Sequence, residues 1–358
     1  MRLYLQRSHF PERETLLLSE GALTVHAFRY PSGVEALRVA NECGYFVILP
    51  YQGQQLWDFC FGGENLKMKT TVEMPVKPKI FLETYGGFLY HCGLASVGAP
   101  DESHPQHGEI PNGEYTEAYI DCGTDARGTY VSVGGTLACD IAFVKKYNFS
   151  PECRLYEGAS TVRVNVNVEN CRAEPMEYAY LCHINFRPFD GARLIYSVPR
   201  DAEHIKMHKI VPDSLPAEAQ AKMRRYMDML ENNLAYMDTV GNPDEAYAPE
   251  ICFTMHYNPD EDGRGYTMQY IEGKGACYVD HPVDALPLAI RWISRTPTED
   301  AMGMVLPATS EHFGYKHAKE HGYIRLLEGY GTFSFDMEIG FISDAEAKKV
   351  AAKIEKLI

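Results

Sequence analysis

Apolar and polar residues alternate with a period of two along much of this chain, the mark of strands with one buried face. The clearest run is Thr161 to Val168. Val162, Val164, Val166 and Val168 fall on one face, and Arg163, Asn165 and Asn167 on the other. A turn is expected near Asn170 to Pro175, followed by a second strand over Met176 to Phe186, so the two predict an antiparallel hairpin. Near the end, Phe333, Phe335, Met337, Ile339 and Phe341 alternate with Ser334, Asp336, Glu338 and Gly340, which predicts another half-buried strand.

The period shifts to that of a helix in two places. From Pro216 to Leu234, Met223, Tyr226, Met227, Leu230 and Leu234 form one stripe, within a helical insertion over about 214–235. Methionine fills irregular gaps, so the stripe reads as core rather than cofactor contact. The second helix spans about 343–358. Ser343 and Glu346 make a capping box at its start, and Ala347, Val350, Ala351, Ile354 and Leu357 are its apolar side. There is no internal repeat or low-complexity linker, and strands continue on both sides of the first helix. We therefore expect a single mainly β domain over 1–358, with a strand extension over 1–30, a few inserted helices and a C-terminal helix. Neither a dinucleotide-binding Gly-x-Gly-x-x-Gly nor a phosphate-binding Gly-x-x-x-x-Gly-Lys-Ser/Thr loop is present.

Composition supports this picture. Of 358 residues, 24 are Tyr and 16 Phe, types that favour strands. The 34 Lys and Arg against 49 Asp and Glu give a formal charge of −15, which argues against nucleic acid or an anionic membrane as a partner. No apolar stretch approaches the length of a membrane span, and the first residues do not read as a signal peptide. The ten cysteines include no Cys-x-x-Cys pair, so reduced thiols and a cytoplasmic location are expected.

Candidate chemistry concentrates in one segment. His91-Cys92-Gly93 is followed by His104-Pro105-Gln106-His107-Gly108-Glu109-Ile110-Pro111-Asn112, broken by turn formers that place side chains on a loop. Imidazole exchanges protons near neutral pH, with Glu109 as a complementary carboxylate. A divalent transition metal held by His104, His107, Glu109 and the distant His183 is the alternative, although the spacing is not the helical His-Glu-x-x-His pattern. His183 and Asn185 share one face of their strand and make a plausible hydroxyl-binding surface. Arg163, Asn165 and Asn167 either extend it or form a solvated outer face. His312, His317 and His321 read as a solvated loop or short helix.

Five segments together resemble the aldose 1-epimerase (galactose mutarotase) superfamily. They are Ile48-Leu49-Pro50-Tyr51-Gln52-Gly53-Gln54-Gln55-Leu56-Trp57, Gly86 to Leu94, His107-Gly108-Glu109-Ile110-Pro111-Asn112, His183-Ile184-Asn185-Phe186 and Met304-Val305-Leu306-Pro307-Ala308-Thr309. In order, they cover about residues 30 to 342. The resemblance implies a galactose mutarotase-like β-supersandwich with a concave sugar-binding face. It also implies that a histidine protonates the ring oxygen while a glutamate takes the proton of the anomeric hydroxyl. His183 matches the general acid and His107 a histidine at the substrate.

The glutamate is where this chain departs, because Leu306 stands at its expected place. Glu311 serves if the register differs, or Glu109 supplies the carboxylate, or the reaction is a different one. The leading expectation is a cofactor-free isomerase of mutarotase type acting on a free sugar or sugar acid. His183, His107 and Glu109 would be catalytic, and His91, His104, Asn185 and Arg163 would bind substrate. A metal-assisted isomerase or lyase acting on a keto-sugar and a non-catalytic sugar-binding protein are the alternatives. Trp57 and Tyr90 would stack on a sugar in the last case, against a core-packing role.

Overall fold

Two antiparallel sheets lie against each other across an apolar core, with helices at their margins. The structure, a computed structural model, describes residues 1–241, 245 and 247–358. One sheet has nine strands and the other thirteen. Aromatic contacts bridge them: Tyr180 of the larger sheet meets Phe335 of the smaller at 5.1 Å between ring centres, and Tyr178 meets Phe333 at 5.0 Å. The mainly β expectation holds, with the C-terminal helix in place at Asp344–Ile354.

The valine-rich strand Thr161–Asn170 is half-buried, with Val162, Val164, Val166 and Val168 on its core face. Its expected hairpin with Met176–Ile184 does not form. Thr161–Asn170 pairs with Lys145–Tyr156 and Thr332–Ser343 in the smaller sheet, whereas Met176–Ile184 pairs with Leu89–Leu94 and Asp300–Ala308 in the larger. The reason is in the side chains. Every residue from Tyr178 to Ile184 is buried, so this is a central strand covered on both faces, unlike its alternating neighbour. The turn between them is a corner, where the buried Asn170 Nδ2 donates to the carbonyls of Glu174, Leu327 and Glu328.

The N-terminal extension joins both sheets. Arg2–Tyr4 pairs with Glu117–Asp125 at one edge of the smaller, and Thr15–Glu20 and Leu23–Arg29 form the far edge of the larger. The inserted helix runs Ala217–Asn232 and buries Met223, Tyr226, Met227 and Leu230. The final helix opens on the expected box: Glu346 N donates to Ser343 Oγ, and Ser343 N donates to the Glu346 carboxylate. Thr332–Ser343, just before it, sits in the middle of the nine-stranded sheet, between Thr161–Asn170 and Gly275–Pro282. All ten cysteines are free thiols. Among the described residues no helix is long and apolar enough to cross a membrane.

Candidate active site

Five successive neighbours in the larger sheet are Ile205–His208, Ile251–Met255, Leu288–Arg295, Asp300–Ala308 and Met176–Ile184. Side chains of the last four, with Ile210 and Glu250 beside them, line a cleft of about 330 Å³, closed on one side by loops around His107 and His312. Strand alternation decides what enters it. Leu181 and His183 share this face, so Cys182 and Ile184 turn to the core.

Hydrogen bonds fix the state of His183. Asn185 Nδ2 donates to the Gly87 carbonyl at 3.1 Å, which turns its Oδ1 toward His183. That oxygen only accepts, so His183 Nδ1, 2.8 Å away, carries the ring hydrogen and Nε2 is left as an acceptor. Tyr85 Oη stands 3.1 Å from both that Nε2 and Asn185 Oδ1 and supplies one hydrogen to this trio. Burial pushes the His183 pKa well below the ordinary histidine range, and neighbouring His107 adds to the effect.

His107 is presented by a strained loop. Its φ is +62°, a left-handed conformation that non-glycine residues rarely adopt. The loop is sewn to the end of strand Leu89–Leu94: Gly93 N donates to the His107 carbonyl and Ile110 N to the Gly93 carbonyl. The amide of Gly98 donates to His107 Nδ1 at 3.3 Å, so the ring hydrogen lies on Nε2. Burial, with help from His312, lowers the His107 pKa to about 4. The His107 and His183 rings are 5.2 Å apart, edge to face. The cleft therefore holds two neutral imidazoles of opposite character, one donor and one acceptor.

A third side completes it. The Trp292 ring stands 5.3 Å from that of His183, and its Nε1 donates to Glu250 Oε2 at 2.6 Å. Glu250 and His312 also line the cleft. Glu250 is its one carboxylate among the described residues.

The family profile described as a domain of unknown function, DUF4432, matches residues 31–341. The chain belongs to this family. No curated protein matches it. Among solved structures, this DUF4432 chain is similar to a provisionally assigned aldose 1-epimerase from Klebsiella pneumoniae, at 15% identity and TM-score 0.84, over 100% of this chain and 95% of that one. A provisionally assigned aldose 1-epimerase from Escherichia coli K12 gives 13% identity and TM-score 0.51, over 92% and 100%. A galactose mutarotase related enzyme from Lactobacillus acidophilus gives 12% and 0.51, over 86% and 98%. The fold of the DUF4432 chain is thus galactose mutarotase-like.

Of the residues singled out in the sequence, the fold brings His107, His183 and Asn185 together. It places the others elsewhere. His91 pairs in register with Cys182 and so turns to the opposite face from His183; its ring packs on Phe149 between the sheets, fully buried. Arg163 lies on the smaller sheet, ion-paired with Asp336 at 3.3 Å. His104 bonds Asp101 at 2.9 Å and stacks on Tyr315. Glu109 accepts from Lys145 Nζ at 2.6 Å, Tyr147 Oη at 2.8 Å and Ala95 N at 3.0 Å, and does not line the cleft.

The alternative metal set of His104, His107, Glu109 and His183 is accordingly not assembled. Among the described residues no three His, Cys, Asp or Glu side chains gather to hold a metal ion. Leu306 does line the cleft. Glu311 is buried behind it, accepting from Thr254, Lys206 and His317. Burial works to raise its pKa, yet those hydrogen bonds prevail and hold it at about 2. Trp57 and Tyr90 are core residues.

Sequence reasoning passed over Glu250, Trp292 and Tyr85, and it read His312 as part of a solvated loop or short helix, whereas His312 is half-buried and lines the cleft. The rarity of tryptophan, two in the chain, and a carboxylate just before the apolar Ile251-Cys252-Phe253 run were the available signals.

Proposed function

We propose that this chain is a sugar isomerase of mutarotase type, opening and reclosing the ring of a free aldose, with Glu250 as its proton-transfer group. The supporting observation is the convergence of the Glu250 carboxylate, the donor His107, the acceptor His183 and the Trp292 ring on one cleft of a galactose mutarotase-like fold. Its volume of about 330 Å³ is near the lower end of the roughly 300–1,000 Å³ range of small-molecule sites and suits a monosaccharide.

In the reaction, Glu250 takes the proton from the anomeric hydroxyl as the bond from C1 to the ring oxygen breaks. The departing ring oxygen takes the electron pair of that bond and receives the proton from Glu250, leaving an open-chain aldehyde. Rotation about the C1–C2 bond and the reverse transfers then give the other anomer. His107 Nε2–H points its hydrogen at developing negative charge; a neutral imidazole polarises oxygen in this way without giving up its proton. His183 Nε2 accepts from a substrate hydroxyl, held in that state by Asn185. This division departs from the general-acid role that family resemblance implies for His183, because its Nδ1 already carries the hydrogen of a neutral ring.

Anomer exchange followed by NMR across a panel of aldoses tests the reading. Acceleration of at least one sugar is expected. Glu250→Gln should cut kcat by about 10²- to 10⁴-fold, the usual contribution of a positioned acid–base group. No acceleration of any sugar would sink the proposal.

A further inference from the structure

Behind Glu250 the cleft opens into a side pocket of about 50 Å³, whose wall includes His208, Glu250, Cys252 and His312. We infer that His208 is a specificity residue: through its Nδ1 lone pair it reads one hydroxyl, on the ring or on the hydroxymethyl arm, of an uncharged sugar. The inference rests on the mutarotase reading for the position of the sugar, and goes beyond it in naming which substrates are accepted and by what.

The acceptor state of His208 follows from its partners. Glu311 is buried and, as a carboxylate, only accepts. Thr254 Oγ1 spends its single hydrogen on Glu311 Oε1 at 2.8 Å. Oγ1 must therefore accept from His208, whose Nε2 is 2.8 Å away. The ring hydrogen is thus on Nε2, and Nδ1 is the polar atom left to meet an occupant of the pocket. Burial keeps the imidazole neutral, with a pKa lowered to about 4. An acceptor of this kind wants a hydroxyl, and a pocket of about 50 Å³, against roughly 30 Å³ for one liquid water, has room for a hydroxyl or hydroxymethyl group.

Charge points the same way. Among the described residues, no lysine or arginine lines the cleft or its side pocket, and Glu250 supplies the formal negative charge there. Lys206, the nearby cation, is 3.1 Å from Glu311 and committed to it. A carboxylate or phosphate arm on the sugar would stand beside the like charge of Glu250 with no cationic partner in the lining. Of the sequence's two options, the free sugar is favoured over the sugar acid.

Titration calorimetry on the full chain tests this, using D-glucose, D-galactose, D-mannose and D-xylose, their 2-deoxy analogues, the 6-deoxy hexoses, the 6-phosphates and the hexuronic acids. One deoxy position should weaken wild-type binding by about 10- to 100-fold, the effect of stranding a buried acceptor. His208→Leu should lose the same factor on the parent sugar and nothing further on that deoxy analogue. The anionic sugars should bind at least about tenfold more weakly than the neutral parent. A uniform loss on all sugars in His208→Leu marks a merely structural role and overturns the inference. So does anionic binding as tight as neutral binding. If the variant does not fold, the wild type decides alone: indifference to both deoxy positions overturns the inference. Sugar binding without anomer exchange removes the mutarotase reading while leaving the His208 result standing; no sugar binding removes both.

Discussion

His107 and His183 are held neutral by burial, and that state has a kinetic signature. The two groups do not titrate across the range where a free histidine does, so kcat/KM should stay level between about pH 8 and 6. A stopped-flow or NMR pH profile that falls with an apparent pKa near 6.5 would contradict this. These two residues were legible in the sequence because turn formers and an apolar strand flag an out-of-place imidazole. Glu250 and Trp292 were not, because nothing local marks them. Their meeting, through the 2.6 Å bond from the indole, depends on the pairing of Cys252 with Trp292 across two strands. The surroundings of Glu109 are hidden for the same reason: Lys145 and Tyr147 belong to a strand on the other sheet, and proximity to them is invisible along the chain.

Elements position these groups through a few tight contacts. Gly108 has φ +80°, and a Cβ built there would lie 2.1 Å from the Gly93 carbonyl oxygen and 2.5 Å from that of Ser96. Gly108→Ala should push the loop away from strand Leu89–Leu94 and take His107 with it. We expect a drop of about tenfold or more in kcat/KM, since small misplacements of catalytic groups are costly; activity equal to wild type in a folded variant would show that the loop does not position His107. At the other end, Ser343→Ala removes the cap of the last helix and should cost about 1 kcal/mol by denaturant titration. Capping and periodicity are local, so both helices were predicted from sequence within a few residues. The corner at Asn170 reads as a hairpin in the sequence because a turn signal says that the chain reverses, without saying in which sheet the next strand lands.

For the whole molecule, buried histidines set the response to acid. Burial lowers the pKa of His107, His208 and His312 to about 4, of His91 and His281 to about 3, and of His183 by a large margin. Each is harder to protonate folded than unfolded. Their contribution to stability is complete above the unfolded value of about 6.5 and drains away as pH falls toward the folded values. Glu311, held at about 2, adds a loss in the same direction below about 4.5. The melting temperature should therefore fall steadily between about pH 6.5 and 4, as scanning calorimetry would record. A flat profile there would mean that these histidines are not desolvated as described.

The placement of Thr332–Ser343 at the centre of the nine-stranded sheet also bears on how the protein is made. Its left-hand neighbours come from residues before 171 and its right-hand neighbours from residues 193 to 282. Until residues 332–343 leave the ribosome, the sheet exists only as two halves with facing unpaired edges. Such long-range closure is slow, and those edges invite pairing with other chains. The nascent protein therefore passes through a stage with two unpaired sheet edges, and that stage ends only when residues 332–343 have emerged.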